Sequence, residues 1–318
     1  MSATEQPLPM PTAVAPRTDS GRGILAILGT GLLWGTIAVA AKLSYIDSTL
    51  TPLSVTWLRS IVASIACLLI MAPTLRRDLR AVSRRDLLVM IAIGLGLAMS
   101  QVCYLEAVNR LGITAATLLA LCVPPVMIAS ISVAFTEETM NRTLAIALAG
   151  SLLGTGLLVG VPDDALKVPT SVLIAGVLFG LASAVGVTIH YIGGRQIASH
   201  VTPMLPLTIG FPVGALVLTP LVMHAGFSFQ QPVVSWAWAV YLGLVPSVLA
   251  YLLFQRGLRG VKASTASIIT LVEPLTAAIL AAILFGERLS PVGWVGGAML
   301  LGSILLLSLR REPVVVVD

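Results

Sequence analysis

Glu273 and Pro274 sit near the middle of a run, Ser264 to Phe285, that is otherwise apolar and long enough to cross a bilayer as a helix. Hydrocarbon is a poor solvent for a carboxylate, so an acid at that depth points to function. It either holds a cationic or amino group of a solute, exchanges a proton, or is a neutral or paired acid capping carbonyls freed by a kink. Pro274 supplies the kink, because it removes a backbone donor. Arg59, in the second apolar run, is the other charge at depth. Its guanidinium needs a partner, and Glu106 is the first expectation, with Glu273 second. A structural ion pair is expected there rather than substrate binding. Gln101, Tyr104, Tyr251 and Gln255 form a polar-aromatic set on the third and eighth runs. Trp34, between Gly31 and Gly35, offers an apolar wall. Ordinary helix packing explains each of these five equally well. His190 is a candidate proton-exchanging group, because histidine is the side chain that ordinarily titrates near neutral pH, although a solvated interfacial histidine is the commoner case.

Other chemistry finds little support. His190, His200 and His224 are scattered, and no Asp lies inside a span. An intramembrane enzyme would need a nucleophile–base pair or metal ligands clustered at depth. Cys67, Cys103 and Cys122 fall in apolar runs without metal-type spacing and read as small buried hydrophobes. No catalytic residue, metal or cofactor is expected, and nothing resembles a nucleotide-binding loop.

The elements that must position these residues are membrane helices. Hydrophobic residues make up 57% of the 318 and charged residues 10%, against about 25% charged in soluble domains. The net charge of +5 sits mainly in short connections, so it reads as topology rather than as a nucleic-acid site. Ten runs are long enough to span: 23–41, 53–72, 87–107, 113–135, 142–161, 170–193, 205–225, 235–256, 264–285 and 291–309. The first ends in Ala38-Val39-Ala40, which resembles a signal-peptidase site. Its length and the polar stretch before it favour a retained helix. Residues 1–22 read as a disordered tail, and 310–318 as a second tail.

Arg17, Arg22, five arginines between 76 and 85, Arg142, Arg195, Arg256, Arg259, Lys262, Arg310 and Arg311 fall on one set of alternating connections. Only Lys42, Arg110, Lys167 and Arg288 fall on the other. By the positive-inside rule both termini are expected in the cytoplasm. Trp57, Trp236, Trp238 and Trp294 lie near outer helix ends and read as an interfacial belt.

The chain also repeats itself. At an offset of 150, Leu121-Cys122-Val123-Pro124 aligns with Leu271-Val272-Glu273-Pro274, and Phe135-Thr136-Glu137 with Phe285-Gly286-Glu287. At an offset of 151, Gly35 aligns with Gly186 and Thr51-Pro52 with Thr202-Pro203. Five spans per copy force the second copy to enter the membrane inverted, which places a solute site near the midplane between equivalent interrupted helices. Those helices are the fourth span, expected to break at Pro124-Pro125, and the ninth, at Glu273-Pro274. Glu137 and Glu287 read as helix terminators.

The two Pro-centred helices ending in Phe-x-Glu, with Leu33-Trp34-Gly35 and Arg59, resemble the paired EamA repeats of the drug/metabolite transporter superfamily. The resemblance covers roughly residues 24–309. It implies repeats at 23–161 and 168–309, ten helices, and a cavity lined mainly by the third, fourth, eighth and ninth, with the first and sixth nearby. It also implies export of amino acids or other small metabolites. The first copy departs by having Val123 where the second has Glu273, so any acidic role belongs to one half. The expectation is an all-helical, multi-pass secondary transporter of the inner membrane, driven by solute gradients or protons. Its partners are a small-molecule substrate and the lipid bilayer, with no nucleic acid. A passive channel is the nearer alternative and an intramembrane enzyme the more distant one.

Overall fold

The computed structural model describes residues 20–135, 140–160, 169–286 and 290–309, and among these every regular element is helical. In order they are α1 (Ser20–Ser44), α2 (Pro52–Met71), a short α3 (Leu75–Ala81), α4 (Arg84–Phe135), α5 (Arg142–Val159), α6 (Thr170–Ile197) and α7 (Leu205–His224). Then α8 (Val233–Leu242) passes through a π-helical segment (Gly243–Leu249) into α9 (Ala250–Gly257). Next come α10 (Ala263–Ile269), α11 (Val272–Phe285) and α12 (Pro291–Leu309). Nine helical runs among the described residues are long and apolar enough to cross a membrane. The chain is a multi-pass membrane protein. Helix α1 already begins at Ser20, within the stretch read as a tail, while residues 1–19, 310–318, Glu137 and Glu287 lie outside the described residues.

Local chemistry explains the ends. Thr51 opens α2 with a capping box: its hydroxyl accepts from the Ser54 amide at 3.2 Å, and its own amide donates to the Ser54 hydroxyl at 2.7 Å. Pro52 fills the first helical position, where no donor is needed. At 52 residues, α4 would be roughly 78 Å long, more than twice the bilayer core. It divides at Gly112, whose φ of 80° lies in the region that favours glycine. Each part is long enough to span, so the described residues offer ten candidate crossings.

The expected break at Pro124-Pro125 does not occur, because α4 runs through both prolines. The carbonyls that these prolines cannot reach belong to Ala120 and Leu121, and both residues face a cavity rather than lipid. Proline inside a membrane helix is tolerated where the freed carbonyls find polar surroundings.

Small residues set the packing. A Cβ on Gly154 of α5 would lie 2.7 Å from the Gly296 carbonyl oxygen of α12, so these two backbones touch. Large apolar side chains such as Leu69, Leu216 and Leu309 stay exposed, as a lipid-facing surface requires. Trp57 departs from the expected belt. It is buried between α2 and α7, donates from Nε1 to the Thr219 hydroxyl at 2.9 Å, and packs edge-on against Phe227. Trp294 is exposed, as expected of a belt residue.

The glycine contact predicts that Gly154→Leu destabilises the protein by about 1–3 kcal/mol through overpacking. Thermal unfolding of the purified protein in detergent should show a lowered Tm, while Leu69→Ala on the lipid-facing surface should shift it little.

Candidate functional site

The ninth span is two helices. α10 ends at Ile269, and α11 begins at Val272. The break therefore precedes Glu273-Pro274 instead of falling on it. Pro274 has no N–H to give to the Thr270 carbonyl four residues back. That carbonyl accepts instead from the Glu273 amide at 3.0 Å, and the Leu271 amide bonds to Ile268 at 3.1 Å. Both are tightened three-residue turns. Glu273 thus lies in the first turn of α11, at the helix end that favours negative charge.

Two neighbours hold the break. From α6, the Tyr191 hydroxyl meets the Thr270 hydroxyl at 2.7 Å. From α1, Gly31 and Gly35 bring backbone against it. A Cβ on Gly35 would sit 2.8 Å from the Glu273 carbonyl oxygen and 2.5 Å from Thr276. Trp34, between these glycines, turns the other way. Its Nε1 donates to the Pro246 carbonyl in the π-helical segment at 3.1 Å, and its ring lies 5.0 Å from Tyr251 and 5.6 Å from Phe254. One turn earlier, the Thr30 hydroxyl bonds the Ala250 carbonyl at 3.0 Å.

These elements enclose a cavity of about 730 Å³, within the usual range for small-molecule sites. Its wall includes Trp34, Arg59, Gln101, Tyr104, Pro124, Pro125, His190, Tyr251, Glu273 and Pro274. At one end it reaches Lys42, Ile113, Thr114, Val159 and Phe285, where Ile113 is 71% exposed. At the other end it stops at buried Ile128, His190, Tyr191 and Tyr251. The described wall is thus open toward one membrane face and closed toward the other. The eighth span contributes little beyond Tyr251, contrary to the expected lining, while α1 and α6 form much of the wall.

Glu273 is half-buried, and among the described residues its carboxylate makes no hydrogen bond or ion pair. Arg59 is 8% exposed, and its Nε has no hydrogen-bond partner. The expected Arg59–Glu106 pair does not form. Glu106 is bound by Arg110, four residues along its own helix, at the end of the bundle. Arg59 instead projects its charge onto Glu273, Tyr251 and Tyr45.

The remaining candidates separate. Gln101 lines the cavity, and so does Tyr104, whose hydroxyl meets that of Thr117 at 3.0 Å. Gln255 is outside the wall and 1% exposed, packed against Gly194. His190 is not a solvated interfacial histidine: it is 1% exposed and stacks on Phe254 at 4.8 Å. Tyr191 and Thr270 were missed as functional residues. The proline four residues after Thr270 was the available signal, since that spacing leaves the Thr270 carbonyl without its helical donor. Lys42, set 3.9 Å over the Phe285 ring at the open end, had no signal, because its partner is 243 residues away in the chain.

Comparison with known proteins places this architecture. The model of the EamA-like transporter family matches twice, over residues 21–160 and 174–309. An uncharacterized transporter of Bacillus subtilis, YwfM, is 29% identical over 89% of this chain and 93% of its own. An uncharacterized transporter of Archaeoglobus fulgidus is 30% identical over 89% of this chain and 95% of its own. A probable terminal-alkyne amino-acid exporter of Streptantibioticus cattleyicolor is 24% identical over 91% and 94%. A solved crystal structure shares the fold, with a TM-score of 0.74 at 18% identity, covering 90% of this chain and 97% of its own.

Trp34→Phe keeps an aromatic ring but leaves the buried Pro246 carbonyl without its donor. The expected cost is about 1–3 kcal/mol, read as a lowered Tm in detergent. Trp294→Phe at the lipid surface should change Tm far less.

Proposed function

The chain belongs to the EamA-like transporter family, and on that premise we propose that it is a secondary transporter of a small organic metabolite. The solute class favoured is amino acids and related compounds, moved outward across the inner membrane by alternating access. The observation that carries this reading is Glu273. It is an acid at membrane mid-depth, beside a helix break, in the wall of a solute-sized cavity and without a direct partner among the described residues. An acid so placed either receives the amino group of a solute or exchanges a proton as the cavity changes access.

The closed end of the cavity supports a carrier over an open pore. The double match of the family model supports two repeats, 23–161 and 168–309, in inverted orientation, with five crossings each. The charge distribution supports both termini in the cytoplasm, which turns the open end of the cavity outward. Gln101, Tyr104, Tyr251, Trp34 and His190 are proposed to shape the solute space around Glu273. Pro124 and Pro125 are proposed to leave the Ala120 and Leu121 carbonyls available beside it, while Pro274 sets the helix break. Gln255 is proposed to pack the wall from behind. The named activity of the Streptantibioticus relative supports an amino-acid solute without selecting one.

An export assay over a panel of amino acids and related metabolites, in cells with and without the protein, identifies the solute. In proteoliposomes that solute should show saturable counterflow, which a pore would not. Glu273→Gln should reduce counterflow on the order of 10-fold or more, the scale set by losing a charge-assisted contact, with Tm and membrane insertion unchanged. Wild-type rates at every pH in this variant would remove Glu273 from the mechanism.

A further inference from the structure

Arg59 is a charge in the wall of this cavity that no contact among the described residues accounts for. It lies on α2, roughly 10 Å in from the helix end on the open face of the cavity, at 1.5 Å per residue from Pro52. It is 92% buried by its 8% exposure. No ion pair to it occurs among the described residues, and its Nε is left without a hydrogen-bond acceptor. A buried guanidinium with no anion is costly, and native structures ordinarily pair or hydrogen-bond such a group. Glu106, the acid expected from the sequence, is bound to Arg110 instead.

The surroundings restrict what completes the site. The described cavity wall holds two basic side chains, Lys42 and Arg59, and one acid, Glu273. Arg59 is close enough for its charge to act on Glu273 and Tyr251, yet it bonds to neither. Glu273 lies deeper, roughly 18 Å from the α11 end at the open face, by the same rise per residue over twelve residues. A solute bridging the two would present its anionic end nearer the opening and its cationic end inward. The planar guanidinium matches a carboxylate through two parallel N–H donors.

We propose that Arg59 is the carboxylate-binding residue of this transporter, and that the solute it carries bears a free carboxylate. The inference rests on the transport reading above and narrows it. Arg59 selects the acid group, and Glu273 receives the amino group when the solute has one.

The test uses the full-length protein in proteoliposomes. Counterflow of the twenty natural amino acids is measured first. Each carried amino acid is then compared with its amide and with the amine left by removing the carboxylate. The wild type should prefer the acid over both analogues on the order of 10- to 100-fold, the range of a hydrogen-bonded charge. Arg59→Gln should abolish that preference, bringing acid and amide within about threefold, and Arg59→Lys should restore part of it. Arg59→Gln should also leave the Tm of the solute-free protein unchanged or raised, since it removes an uncompensated buried charge. A structural role would lower it.

Equal handling of acid and amide by the wild type would overturn the proposal. So would an Arg59→Gln protein that still prefers the acid by the wild-type factor, or a marked loss of Tm with all solutes impaired alike. A folded wild type that carries amines or neutral solutes but no carboxylate overturns this inference and leaves the transport reading standing. A folded protein that carries no solute at all sinks both.

Discussion

A helix interrupted inside the membrane must bond its freed backbone groups within the protein, because lipid offers no partner. The rest of the structure depends on how this is met between Ile269 and Val272. Pro274 withholds the donor that Thr270 would otherwise receive. The Glu273 amide takes over that bond at 3.0 Å, which puts the Glu273 side chain in the first turn of the second half-helix. Tyr191 binds the Thr270 side chain, and Gly31 and Gly35 let the backbone of α1 press onto the same stretch. The break, the acid and the contact with α1 are one construction.

That construction explains why Trp34 sits between two glycines. The glycine face of α1 is occupied by the broken span, so the indole projects toward the π-helical segment. There Pro246 lacks an N–H, and the ladder is offset. The Ser247 hydroxyl bonds back to the Leu242 carbonyl at 2.8 Å, and Trp34 takes the Pro246 carbonyl. Two irregular spans are thus tied to opposite faces of one helix. Arg59 and Glu273 are opposite charges in one cavity wall that do not bond each other.

Much of this was legible in the residues. Apolar run lengths marked the spans. Glu273 stood out because hydrocarbon penalises charge. Reasoning failed where an outcome depended on three-dimensional neighbours. Pro124 and Pro125 did not break α4, because Ala120 and Leu121, four residues before them, face the cavity. Arg59 did not pair with Glu106, because Arg110, one turn from Glu106, is local and wins. His190 and Trp57 were read as interfacial from their depth along a helix, but depth does not say which way a side chain points. His190 turns into the aromatic group of Phe254, Tyr191 and Tyr251, and Trp57 turns toward α7. Gln255 stands one turn beyond Tyr251 and faces α6 instead of the cavity.

The central claim is that the acid beside the broken span faces water inside the membrane. The most direct measurement is thiol accessibility. Glu273→Cys is placed in a chain with Cys67, Cys103 and Cys122 changed to serine, and sealed vesicles are treated with a charged, membrane-impermeant methanethiosulfonate. The introduced thiol should be modified from the aqueous phase, and a carried solute should slow the modification. Reaction only with a lipid-soluble maleimide, at a rate no solute alters, would place this position against lipid and contradict the account.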